Sequence, residues 1–267
     1  MTDHDDEYFE IVARHLRVCA DYKPKFGTSG DAGLTQHQFE LRYGADPFYR
    51  WVGLNSPYMY AAHKAAGGIT SIYRQLGKGS ERLFQRVLQD QFGLTAAQSY
   101  WTYTMPVSGA KDRTLELDGR IDLSHLTDHA QIGRVMMWLD RVAAKLHLED
   151  DYRKAAKGAV FEVRQGYKSA DSKRQNADLA NAAQAYAHHY VPGLALLSTQ
   201  INETVAARYE ARGWLLLTGT ESGDATESIW TFMREVVGYD LAAFFQRNTD
   251  RFHELVESVA ASLLEPS

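Results

Sequence analysis

Glu162 and Arg164 stand two apart in Gly158-Ala-Val-Phe-Glu-Val-Arg164, a short apolar run carrying one acid and one cation. On a strand, side chains repeat every second residue, so the two share a face. Beyond Gly166 the chain becomes dense in hydrogen-bonding groups, Lys168-Ser169-Ala-Asp171-Ser-Lys173-Arg174-Gln-Asn176, and enters an Ala/Asn/Gln-rich helical stretch to about His189. An acid and a cation at that spacing, followed by a basic, polar helix start, suit the holding of a metal beside a phosphodiester. An edge strand followed by a solvated loop shows the same local pattern.

Carboxylates that could join them lie upstream. In Thr114-Leu-Glu116-Leu-Asp118-Gly-Arg120-Ile-Asp122-Leu, alternation puts Glu116, Asp118, Arg120 and Asp122 on one face and Leu115 and Leu117 on the other. Three acids on one face repel, so water, arginine or a divalent cation must offset them. Oxygen-only ligands of this kind suit magnesium, although a solvent-facing hairpin alternates in the same way. Glu81 follows Ser80, which is placed to cap a helix through Gln91, and an acid there complements the helix dipole. Its other available role is as a metal or water ligand. Phosphodiester hydrolysis needs a metal that lowers the pKa of a bound water and counters charge on phosphorus. Two carboxylates on neighbouring strands can hold such a metal, with a nearby cation to steady the phosphate.

The elements expected to position these groups are helical at first: Tyr8 to Ala20, Thr35 to Tyr43, Pro57 to about Ala66, and Ser80 to Gln91 with Leu83, Phe84, Val87 and Leu88 inward. Tyr100 to Pro106 and Thr114 to Leu123 alternate as strands. Asp128 to Leu148 reads as an amphipathic helix, with Met136-Met137-Trp138 as core. Two continuous apolar runs, Val191 to Thr199 and Trp214 to Thr218, read as buried strands separated by a helix over Asn202 to Arg212. Strand, helix, strand, helix, strand requires crossovers and a partly parallel sheet. Helices finish the chain from Ser228 onward. His188-His189 falls at a helix end, where a cation or cap is expected.

Composition bounds the reading. The chain has 267 residues, 45% hydrophobic and 24% charged, enough for one large domain or a domain with an appendage. Cys19 is the single cysteine, which excludes a disulfide framework and a thiolate zinc site. The formal charge of -5 means that any nucleic-acid contact must use a local patch, and Arg153, Lys154, Lys157, Arg164, Lys168, Lys173 and Arg174 supply one. A run of this kind is more often a solvated face. Gly77-Lys78 is not a phosphate-binding loop, because Ile72 stands where that motif begins with glycine. No apolar run is long enough to cross a membrane, and the acidic start Met1-Thr-Asp-His-Asp-Asp-Glu argues against a signal peptide, so a cytoplasmic protein is expected.

Taken together, Asp118 or Asp122 followed by Glu162-Val-Arg164 resembles the Asp … Glu-x-Lys pattern of the PD-(D/E)xK nucleases, and the chain looks most like a Type II restriction endonuclease. Within that group, Lys168-Ser-Ala-Asp171-Ser-Lys-Arg174-Gln-Asn-Ala followed by Tyr190-Val-Pro-Gly-Leu-Ala-Leu-Leu is similar to enzymes reading CCGG-containing sites. The resemblance covers about Leu115 to Thr218, and upstream of that only Glu81, in the place of an additional metal ligand. It implies an α/β fold: a central mixed sheet of the nuclease type flanked by helices, with a helical N-terminal part over 1–95 and the core with C-terminal helices over 96–267. It implies Mg2+ at Asp118, Asp122, Glu162 and Glu81, and double-stranded DNA as substrate. It further implies a homodimer on a palindromic site, and a cognate DNA methyltransferase in the same system that is not a physical partner. Lys168, Ser169, Asp171, Lys173, Arg174 and Asn176 would contact DNA, the cations reaching guanine and Asn176 or Asp171 adenine or cytosine amines. As surface groups, the same residues would be solvated charges or a helix cap.

The chain departs from the pattern where Arg164 replaces the lysine; arginine can neutralise phosphate but deprotonates water poorly. Lys168 is the other amine available. Asp118-Gly resembles the "PD-G" form without its proline, whereas Gly119-Arg-Ile-Asp122 resembles the form in related exonucleases. The competing expectation is a DNA-binding or regulatory protein with a nuclease-like core that does not cut.

Overall fold

Two apolar layers on either side of one twisted sheet organise the part of the chain that carries the acids. The computed structural model describes residues 4–26, 33–105, 113–167 and 181–265. It divides into two compact units, Met1–Gly79 with Gln246–Ser267, and Ser80–Phe245. The boundary differs from the expected 1–95 and 96–267, and the last helix belongs with the N-terminal unit.

The N-terminal unit contains α1 (Asp5–Arg17), α2 (Gln36–Ala45), α3 (Pro47–Trp51), the first part of α4 (Pro57–Phe92) and, from the chain's end, α12 (Thr249–Leu264). Thr35 closes a capping box with Gln38 at the start of α2. Tyr8, Phe9, Val12 and Leu16 form the buried stripe of α1. Arg247 meets the buried Asp5 at 2.9 Å, and Arg251 reaches Asp6 at 2.9 Å while its guanidinium lies over the Phe9 ring. These pairs tie α1 to the C-terminal residues, which explains the shifted boundary.

α4 corrects two expectations at once. A helix ending near Ala66 and another starting at Ser80 are in fact one continuous helix. Gly67 and Gly68 do not break it; they admit neighbours. A Cβ on Gly68 would lie 2.6 Å from Leu263 Cδ1, and one on Gly67 would overlap the Tyr22 ring. The helical penalty of glycine, about 1 kcal/mol each, is offset by the close approach. Ser80 is therefore buried mid-helix, and Glu81 is not in a first turn.

The second unit holds α5 (Ala96–Ser99), β1 (Trp101–Met105), β2 (Arg113–Leu117), β3 (Gly119–Asp122), α6 (His129–Lys145), α7 (Asp150–Ala155) and β4 (Gly158–Arg164). There follow α8 over residues 181–187, β5 (Tyr190–Leu196), α9 (Glu203–Glu210), β6 (Leu215–Leu217) and α10 (Ile229–Phe232), which runs into a π-helical turn at Met233–Val237; α11 (Leu241–Arg247) spans the unit boundary. β1 and β2 form an antiparallel pair, and the main sheet has the order β3-β4-β5-β6. β3 runs antiparallel to β4, while β4, β5 and β6 are parallel. The expected α/β class with a mixed sheet is therefore observed. β5 is buried at every position, as a parallel strand covered on both faces must be.

One face of the sheet packs Val160, Tyr190 and Leu194 with Trp101, Tyr103, Leu117, Tyr209 and Trp214. Phe161 is buried with Phe84, Trp138 and Phe232 around it. α6 starts where its sequence says it should, with the Asp128 carboxylate accepting from the N–H groups of Ala130 and Gln131. No helix among the described residues is long and apolar enough to cross a membrane.

Candidate functional site

The expected single strand over Thr114 to Leu123 is two strands in two sheets, and the break falls on Asp118. β2 leaves to pair with β1, so the edge of β4 loses a backbone partner at this point. The Asp118 side chain takes its place, Oδ2 accepting the Val163 N–H at 2.9 Å. The Asp118 carbonyl accepts from Gln85 Nε2 at 2.6 Å. Both ends of the residue are thereby held, one by β4 and one by α4. Glu116, on the far side of the break, no longer shares a strand face with Asp118 and Asp122.

On β4, Glu162 and Arg164 share a face as their spacing predicts. Glu162 is buried, and its carboxylate pairs with Arg164 Nη2. Arg164 Nη1 lies 3.6 Å from Glu81 Oε1 and 3.8 Å from Asp118 Oδ2. One guanidinium thus gathers three carboxylates from a helix, a strand break and a strand. Glu81, Asp118, Glu162 and Arg164 are brought together, three acids and one cation among the described residues. Glu81 is an ion-pair partner here and not a helix cap. A polar cleft of about 280 Å3 opens beside them, lined by Glu81, Arg82, Gln85, Tyr100, Glu116, Leu117 and Asp118.

Asp122 is not part of this cluster. Register puts it opposite Gly158, at the other end of the β3–β4 pair from Asp118, about 13 Å away at the usual strand rise. Its carboxylate accepts from the Tyr190 hydroxyl at 2.5 Å, the Ser124 hydroxyl at 2.7 Å and the Ser124 N–H at 2.9 Å. Burial raises its pKa, but these hydrogen bonds outweigh burial and hold the group below the ordinary aspartate value. Burial, reinforced by the bond to Asp122, pushes the Tyr190 hydroxyl up to about 12.

A carboxyl depressed on folding stabilises the protein fully above its unfolded pKa, about 3.9, and the contribution is lost as pH falls below that value. Asp122→Asn is therefore expected to flatten the acid limb of stability below about pH 4, read from urea midpoints across pH. An acid limb as steep as in the wild type would show that Asp122 does not drive it.

Lys168, Ser169, Asp171, Lys173, Arg174 and Asn176 lie outside the described residues. Of the upstream basic run, Arg153 pairs with Asp140 at 2.6 Å on an exposed surface, which fits the solvated-face reading. His188 Nδ1 donates to the Gln184 carbonyl, 2.8 Å away, and the ring packs edge-on to Trp101, a helix-end role. Gln85, which fixes Asp118, was not singled out from sequence. It stands one helical turn beyond Glu81 within the helix expected from Ser80, but its partner, the Asp118 carbonyl, is 33 residues away in sequence.

Among the described residues, no group of three or more His, Cys, Asp or Glu is placed to hold a metal ion. Magnesium commonly needs less, being held by one or two carboxylates together with waters and substrate phosphates. Asp118 and Glu162 are oxygen donors of the right kind, converging on one cationic group. No family model matches the chain, and neither a curated protein nor a solved structure does.

Proposed function

We propose that the protein is a magnesium-dependent, sequence-specific endonuclease of double-stranded DNA, with a core of the PD-(D/E)xK type. The observation that carries this reading is the meeting of Asp118 and Glu162 at Arg164, from a strand break and its antiparallel neighbour, beside a polar cleft. Asp118 and Glu162 would hold the Mg2+ ion. When bound, the ion would supply a water of lowered pKa and counter-charge for the phosphorus. Arg164 contributes a permanent cation that can pair with the scissile phosphate, and arginine does not serve as a proton acceptor at neutral pH. Glu81 holds that guanidinium in place. Lys168 is the alternative source of an amine at the reacting phosphate.

The finer reading is a Type II restriction enzyme acting as a homodimer on a short palindrome, with Lys168, Ser169, Asp171, Lys173, Arg174 and Asn176 facing the bases and backbone. A CCGG-containing target and a companion methyltransferase belong to the same reading. A second reading, a DNA-binding protein that does not cut, is favoured by the guanidinium among the three carboxylates, where the nuclease pattern has lysine.

The deciding experiment incubates the purified protein with bacteriophage DNA, with magnesium and with EDTA. Discrete bands that require magnesium are expected. DNA left intact under both conditions, with magnesium-independent binding in a gel shift, would establish the second reading. A smear would remove the sequence-reading assignment.

A further inference from the structure

Asp118 falls between two ladders: Leu117 pairs with Trp101 across β1–β2, and Gly119 with Phe161 across β3–β4. At that break its carbonyl accepts from a helix side chain, the half-buried Gln85, whose Nε2 lies 2.6 Å away. Gly119, the next residue, lets α4 come this close, because a Cβ there would lie 2.6 Å from Phe84 Cε1. The Asp118 side chain is held from the other direction, Oδ2 accepting the Val163 N–H at 2.9 Å. Where the backbone is held therefore decides where the carboxylate points.

A glutamine amide can be turned end for end, and only one orientation puts its donor on a carbonyl. Arg82 fixes that orientation. Its Nη1 donates to Gln85 Oε1 at 3.0 Å, and a guanidinium, which has no acceptor, would face a second donor if the amide turned. Arg82 is exposed and lines the polar cleft with Glu81, Glu116 and Asp118. Gln85 and Glu81 are four apart and share a helix face. α4 thus reaches the acidic cluster twice, through the Asp118 backbone and, by way of Glu81, through Arg164.

We infer that Arg82 and Gln85 are positioning residues for the metal site. Arg82 sets the Gln85 amide, Gln85 sets the Asp118 backbone, and the relay holds the Asp118 carboxylate in the direction that binds a divalent cation. The inference rests on the reading of Asp118 as a ligand to Mg2+ and adds two residues that act on the metal through it. Groups that orient a metal ligand commonly govern affinity by about 10–100-fold.

The probe is Mn2+ alone, titrated into the full chain up to millimolar concentration and read from the paramagnetic resonance signal of the free ion. Asp118→Asn is expected to abolish binding and so identifies the site. Gln85→Met keeps the length of the side chain and its preference for helix but carries no donor. It should weaken Mn2+ binding at least about tenfold. Arg82→Ala should weaken binding by less, because the donor remains and only its orientation is released. Charge alone predicts the opposite sign, since removing a nearby cation favours a bound cation. In cleavage, the magnesium concentration for half-maximal rate should rise in Gln85→Met by the same factor as the loss of Mn2+ affinity, and the maximal rate should fall by less. A merely structural role would lower the urea midpoint and leave the metal requirement where it was. Wild-type Mn2+ affinity in Gln85→Met, or tighter binding in Arg82→Ala, would overturn the relay and leave Asp118 as a ligand. Equal binding by the wild type and Asp118→Asn, or binding by neither, would remove Asp118 from the metal site and the positioning role with it.

Discussion

Replacing Glu162 by glutamine is expected to reduce magnesium-dependent DNA cleavage by at least about a thousandfold, the scale of losing a group that stabilises transition-state charge. Binding of the same DNA in calcium should change by no more than a few-fold. Glutamine preserves the volume of this buried side chain and still offers an oxygen to Arg164, so the change falls on charge and not on packing. Alanine would be a poorer probe. It would leave the guanidinium without its closest carboxylate in a site where Arg164 is only 13% exposed, and breaking a buried pair costs about 3–5 kcal/mol. Plasmid linearisation rates, anisotropy in calcium and a urea midpoint together separate the outcomes. Undiminished cleavage by a folded variant would remove Glu162 from the reacting site. Loss of binding together with cleavage would make Glu162 a support for the sheet edge and nothing more.

Phe161→Ala is expected to destabilise the protein by about 3–5 kcal/mol, the upper range for large-to-small core changes. Phe161 is fully buried and touches Phe84, Trp138 and Phe232 with centroids at 5.4, 6.2 and 5.3 Å. Its neighbour across the parallel pair is Gly193, where a Cβ would lie 2.8 Å from the ring. The glycine has no side chain with which to close the gap, and the other neighbours are rigid rings, so the cavity persists. The measurement is a shift in urea midpoint at unchanged slope. A loss below about 1 kcal/mol would mean that the aromatic cluster collapses over the vacancy.

Much of the sheet was legible in the sequence because burial on both faces leaves a local signature. The continuous apolar runs at Val191 and Trp214 became β5 and β6, and alternation in β4 placed Glu162 and Arg164 together. Asp128 marked the start of α6 because a cap is a local interaction. α4 was not legible: its glycines serve Tyr22 and Leu263, which are remote in sequence, and a local reading takes such glycines for breaks. The break at Asp118 was hidden for a related reason. Alternation continues unchanged through Thr114 to Asp122, and only the competing partner of β2 decides where the strand divides. The choice between Asp118 and Asp122 depends on an antiparallel register that no spacing within either strand contains. The grouping of the last helix with α1 likewise rests on Arg247 and Arg251 finding Asp5 and Asp6.

The acidic cluster draws on residues 81, 118, 162 and 164, and its backbone tether, Asp118 to Val163, joins positions 45 apart. Contacts of such separation form only after the loop between them has closed, and they slow folding accordingly. β4 is also an interior strand whose second neighbour, β5, begins at Tyr190. A growing chain therefore holds separate, solvated acids until β4 has emerged, and β4 keeps one open edge until β5 arrives. The cluster is expected to form late in folding: helix α4 and the β1–β2 hairpin can form before it, and it requires β4 to have docked beside Asp118.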